Sequence, residues 1–195
     1  MFTITPCAAG CGRTAITGSK ICAIHSADPE KESQRISDYI AQNARIKNLN
    51  APGLHFDSID FSRRHFYGCN FINATFSMCL FTQAVIRMSF FDFSIFNNCD
   101  FSHSDLQFLS LAGSTVRNCT FEGSELVHLN FGGAEISEST FNNSNLYNSR
   151  FINANIERSD FVDCNLKRCY FIKARQEGVS FKSSNTAEAV FEMEE

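Results

Sequence analysis

From Phe56 onward every fifth side chain is large and apolar: of the 28 positions from Phe56 to Phe191, all but Gln176 and Thr186 are apolar. Two residues before each of them the side chain is nearly always small, as at Cys69, Ala74, Cys79, Ala84, Ser89 and Ser94. The other three positions carry mostly Asn, Asp, Glu, Ser, Lys and Arg. A period of five fits neither the 3.6 of a helix nor the alternation of a strand, so the chain must turn a corner once per repeat. Four corners close a square coil, with the large residue and its small partner pointing inward and residues 20 apart stacked. The predicted element is one short extended piece per side, repeated from residue 54 to residue 191 without an insertion.

The columns of the coil can be read directly. Phe61, Phe81, Phe101, Phe121, Phe141, Phe161 and Phe181 make one aromatic side, and Phe71, Phe91, Leu111, Phe131, Phe151, Phe171 and Phe191 lie opposite. The two remaining sides, Phe66 through Leu166 and Phe76 through Ile156, turn aliphatic after the second coil, so wide and narrow fillers alternate and leave no ligand tunnel. Seven coils at a spacing of about 4.8 Å give a rod roughly 34 Å long. Each coil is buried only by its neighbours, so both ends need covering.

This register, which spans about 140 of the 195 residues, resembles that of the pentapeptide-repeat family, with Phe favoured over Leu at the centre and Ser or Cys over Ala before it. The resemblance implies an all-β solenoid: a right-handed, four-sided parallel β-helix of about seven coils. It also implies a class of function, because some members of the family imitate duplex DNA in shape and charge and bind DNA gyrase.

Charge bears on that implication. Residues 1–50 carry six Lys/Arg against four Asp/Glu, and residues 51–195 carry 11 against 17. The repeat body is mildly acidic, without the basic stripe that neutralises phosphates, so direct nucleic-acid binding by it is disfavoured. A net charge of 11 − 17 = −6 over 145 residues is modest for a DNA mimic, and no projecting loop interrupts the repeats. The N-terminus lacks a basic region followed by an apolar core, and no run of 18 apolar residues occurs, which predicts a soluble cytoplasmic protein with no membrane partner. Six of the nine cysteines, Cys69, Cys79, Cys99, Cys119, Cys164 and Cys169, fall at the small inward position and are expected to be free thiols acting as compact apolar fillers.

The remaining three belong to a segment outside the repeat. Cys7, Cys11, Cys22 and His25 form a C-x3-C-x10-C-x2-H arrangement that satisfies tetrahedral zinc completely and leaves no open position for a catalytic water. Residues 1–27 are therefore expected to be a structural zinc module, since so few large apolar residues could hardly hold it folded. The stretch from Cys7 to Arg13 with Cys22–His25 resembles small bacterial zinc knuckles, and Arg13 and Lys20 give that module an alternative role in contacting nucleic acid. Asp28 and Pro29 start a helix predicted to run to about Arg45, within a capping and linker segment of residues 28–50 that precedes the β-helix at 51–195. Ile36, Tyr39, Ile40 and Ala44 share the face expected to cover Leu54, Phe56 and Ile59. At the other end Glu192, Glu194 and Glu195 set charge beside the last edge, and this weaker cap leaves room for a homodimer.

Outward positions between residues 78 and 108 include Met78, Leu80, Val85, Met88, Phe90, Phe93, Ile95 and Phe108. Clustered exposed apolar groups mark an interface, so Met88, Phe90, Phe93 and Phe108 are the candidate partner-binding residues, unless the helix or the zinc module folds back over them. His55, His65, His103 and His128 face outward without a recurring carboxylate or serine, and phosphate loops, paired buried carboxylates and nucleophile elbows are missing. The reading is a non-enzymatic scaffold that binds an unidentified protein.

Overall fold

The computed structural model describes residues 4–192. Helix α1 (Pro29–Gln42) is capped by Asp28, whose side chain accepts the Lys31 amide at 2.9 Å, and Pro29 fits the first turn because its missing N–H would have had no partner there. After it the chain forms a parallel β-solenoid of about seven coils. One side holds β1 (Arg45–Lys47), β3 (His65–Tyr67), β5 (Val85–Arg87), β7 (Asp105–Gln107) and β9 (Glu125–Val127). A second side holds β2 (His55–Asp57), β4 (Thr75–Ser77), β6 (Ile95–Asn97), β8 (Thr115–Arg117), β10 (Glu135–Ser137), β11 (Asn155–Glu157) and β12 (Arg175–Glu177). Every pairing is parallel with a register of 20 residues, as in Phe56↔Phe76 and Ile86↔Leu106. The other two sides pair through single bridges such as Phe90↔Ser110 and Asp100↔Thr120.

The corners explain the period of five. At every fifth residue from Asn48 to Ser183 φ is positive, between 44° and 70°. On the bridge sides this residue is third in a hydrogen-bonded turn, with Ala74 N donating to Phe71 O at 3.0 Å and Ser94 N to Phe91 O at 3.1 Å. Asn and Gly recur there because each enters the left-handed region at little cost.

Packing follows the columns. Phe81, Phe101, Phe121, Phe141 and Phe161 stack with centroids 4.5–4.8 Å apart and planes within 5°, while rings from the opposite side meet them edge-on, as Phe131 meets Phe141 at 6.1 Å and 89°. These geometries suit the aromatic quadrupole as well as burial. The small inward serines are not inert spacers. Ser144 Oγ donates to Phe121 O at 2.7 Å and accepts the Ser124 amide at 3.1 Å, so one hydroxyl ties two coils together. Ser149 repeats the pattern with Leu126 O and the Leu129 amide.

The repeat starts earlier than the sequence pattern indicated. Ile46 and Ala51 are fully buried in the same register, and β1 pairs with β3, so the first rung lies inside the segment assigned to a linker. The helix correspondingly stops at Gln42, short of Arg45, because Arg45 is needed as an extended residue of β1. Ile36 and Ile40 are buried and α1 packs on β2, but Tyr39 is exposed and Ala44 lies exposed beyond the helix. At the far end β12 is exposed along its whole length, and Phe181 and Phe191 are only partly buried. Side chains close this edge in place of a helix: Ser184 Oγ accepts the Cys164 amide at 2.7 Å and Asn185 Oδ1 the Leu166 amide at 2.6 Å. Glu192 is exposed, while Glu194 and Glu195 lie outside the described residues.

Candidate metal centre and apolar girdle

Gly10 and Gly12, at φ 72° and 75°, let the chain double back around Cys11. The turn closes through Gly10 N to Cys7 O at 3.0 Å and Cys7 N to Arg13 O at 2.8 Å. Cys22 and His25 bracket a single 3-10 turn, Ala23–His25, which brings the two side chains to the same side. The ligand atoms of Cys7, Cys11, Cys22 and His25 all lie within 4.8 Å of one another, so the four could hold a metal ion.

The spacing tests the fit. Cys11 Sγ and Cys22 Sγ are 3.8 Å apart, and His25 Nδ1 is 3.5 Å from both Cys7 Sγ and Cys22 Sγ. A tetrahedral ion with sulfur at about 2.3 Å and nitrogen at about 2.0–2.1 Å would set these edges at about 3.8 Å and about 3.5 Å. The protein environment favours the thiolate at two of the three cysteines, while the hydrogen bond with Cys7 raises His25. The Cys22 amide, 3.4 Å from Cys7 Sγ, heads the causes that lower the Cys7 thiol to about 6, against the opposing effect of burial. A backbone hydrogen bond from Arg13 lowers Cys11, whereas burial raises Cys22. The six rod cysteines are buried free thiols; Cys99 and Cys119 lean on the carbonyls of Phe76 and Phe96.

The candidate apolar residues are exposed, with neither the helix nor the head over them: Met88 56%, Phe90 38%, Phe93 63% and Phe108 55%. They do not form one flat patch. The register sets Met88 and Phe108 at one corner, Phe90 beside it and Phe93 at the next corner, while Ile95, Met78 and Leu80 continue around the rod as a girdle. Phe108 stacks on His128 at 4.8 Å and 10°, and the Phe93 ring lies over Gly113, where an added Cβ would meet it at 2.7 Å.

Sequence pattern alone missed one property of this girdle. Met78, Met88, Phe93 and Phe108 occupy corner positions at φ 53°, 49°, 58° and 56°. A bulky side chain in that region costs roughly 1–2 kcal/mol, and here the strain is not repaid by burial. The recurrence of Asn and Gly in this register, at Asn48, Gly53, Gly68 and Asn73 with Ser58 and Arg63 between, was the available signal.

Pentapeptide-repeat models match residues 65–102 and 91–123, and a model of the pentapeptide-repeat region matches 114–191. No curated protein matches the chain. Among solved structures it is similar to HetL, a pentapeptide repeat protein involved in heterocyst differentiation regulation from the cyanobacterium Nostoc sp. strain PCC 7120, at 12% identity, over 80% of this chain and 95% of that one, with a TM-score of 0.38. A trypsin-treated form of QnrB1, a plasmid-mediated fluoroquinolone resistance protein, is 21% identical over 76% of this chain and 77% of that one, with a TM-score of 0.32. Rfr23 from the cyanobacterium Cyanothece 51142 is 12% identical over 81% and 99%, with a TM-score of 0.31.

Proposed function

From the premise that the chain belongs to the pentapeptide-repeat family, we propose that it is a non-enzymatic protein-interaction scaffold whose partner docks on the girdle around Met88, Phe90, Phe93 and Phe108. The observation that carries this reading is the run of exposed Met and Phe side chains, several of them at corners of positive φ. Arg63, Gln83 and Glu138 meet the same strain at other corners, so it is the exposed apolar surface that sets the girdle apart, and its value lies in contact with another surface. Large aromatic side chains and Met are the residues that anchor protein interfaces. Phe90→Asp tests it: the variant keeps its folded signal and monodispersity but loses the proteins that co-purify with the parent chain. Full retention of them by a folded variant removes the girdle from consideration.

In this reading the ion is zinc and its role structural, since three thiolates and one imidazole fill its coordination and leave no site for substrate. The six unpaired rod thiols support a reducing compartment, which we take to be the cytoplasm. Among the described residues no helix is long and apolar enough to cross a membrane. The partly buried Phe181 and Phe191 make the C-terminal end the place for a second copy, if the chain dimerises. The DNA-mimic alternative predicts that micromolar protein alters supercoiling by DNA gyrase. The zinc-module alternative predicts salt-dependent nucleic-acid binding that vanishes in Cys22→Ser.

A further inference from the structure

We infer that the metal-binding head supplies the missing first rung of the rod, so that occupancy of the Cys7, Cys11, Cys22 and His25 site sets whether the N-terminal edge of the solenoid is paired. The inference rests on the structural-metal reading above. Inside the rod each side is closed by the coil before it: Asn70 N donates to Leu49 O at 2.8 Å and Phe90 N to Cys69 O at 2.9 Å, in both cases 21 residues back (70 − 49 and 90 − 69). For Asn50 the equivalent residue is Pro29, which begins α1. Thr17 takes its place. Asn50 N donates to Thr17 Oγ1 at 2.7 Å, and Thr17 N donates to Asn50 O at 2.8 Å.

Thr17 lies in the loop that joins Cys11 to Cys22. Its neighbour Ile16 is 1% exposed and belongs to the rod's core cluster, as does Ala23 between the ligands Cys22 and His25. Ala23 packs beside Gly53 on the first coil. Helix α1 converges on the same point: Arg35 Nη2 donates to Thr17 O at 2.6 Å, and its guanidinium lies against Gly18. On the next side α1 closes the edge by itself, through Ser33 Oγ accepting the His55 amide at 3.2 Å. The two caps therefore differ in what the ion contributes. The Asn50 rung depends on a loop whose ends are held by the ion and whose middle is held by Arg35, and the His55 rung on the helix alone. A solenoid is stabilised by nearest neighbours, so release of the loop opens the first coil and leaves distant coils closed.

The test is backbone amide exchange on the full chain, loaded with Zn²⁺ alone or stripped with a chelator and verified metal-free by native mass spectrometry. Stripping is expected to speed exchange at Asn50 by about tenfold or more, with the amides of Phe131 and Phe151 unchanged. Thr17→Val keeps all four ligands and removes only the hydroxyl acceptor, and is expected to speed exchange at Asn50 with zinc still bound. Zinc uptake with an Asn50 amide indifferent to stripping, or to Thr17→Val, overturns this inference alone. A chain that takes up no zinc overturns the metal reading beneath it as well.

Discussion

Head and rod use the same residue for opposite purposes. In the head, backbone amides point at sulfur, so the Cys7 thiol falls to about 6 and three cysteines converge with an imidazole. In the rod, cysteine fills the small inward position among Phe and Leu, and burial pushes Cys69 up to about 11 and Cys169 to about 12. The difference lies in the backbone. Around Cys11 it turns tightly and aims N–H groups at the side chain, whereas in the rod those groups are spent on the neighbouring coils. The small head contributes only a few residues such as Ile16 to the core, which is where a shared ion would add most, and a repeated segment holds itself by stacking.

The sharpest break in this comparison is chemical. After metal stripping, alkylation should label Cys7, Cys11 and Cys22, with half-exposed Cys11 first, while the six rod thiols stay unlabelled until the chain is unfolded. At neutral pH a thiol at about 6 and one at about 12 differ in thiolate population by roughly 10⁵-fold, so labelling of rod cysteines in the folded protein would erase the distinction. Next in size is Phe121→Ala. It removes a ring stacked between Phe101 and Phe141 and should cost roughly 3–5 kcal/mol by denaturant midpoint, with zinc affinity unaltered. Ser144→Ala is expected to cost about 1–2 kcal/mol, because it strips the hydroxyl shared by Phe121 O and the Ser124 amide; a neutral result would reduce the inward serines to spacers. Smallest is a gain: Met88→Asn should raise stability by about 0.5–1 kcal/mol by relaxing a left-handed corner, and no gain would remove the strain from the case for an interface.

Much of the rod was legible because its contacts recur at fixed separation. Phe61 through Phe181 form one column in any square coil, so a linear period translates directly into neighbours. The convergence of Cys7, Cys11, Cys22 and His25 was legible for a similar reason, since their types and spacing are those of residues that could share one ion. Other features broke the periodic rule. Ile46 and Ala51 belong to the rod, although the apolar pattern became obvious only further on. Thr17 and Ser33 close the first coil as single hydroxyls, and nothing in their neighbourhood marks them.

From the sequence alone came the coil, its columns, the buried thiols and the Cys and His cluster that could hold a metal, all of which follow from local geometry repeated or from ligand chemistry. Only the tertiary structure decided where the rod begins, which groups cap it, and that the exposed apolar residues wind around it at strained corners. Such facts depend on which segments meet across the end of the solenoid and on the sign of φ at each bend. A period counts residues between contacts, but it carries no information about a contact made only once.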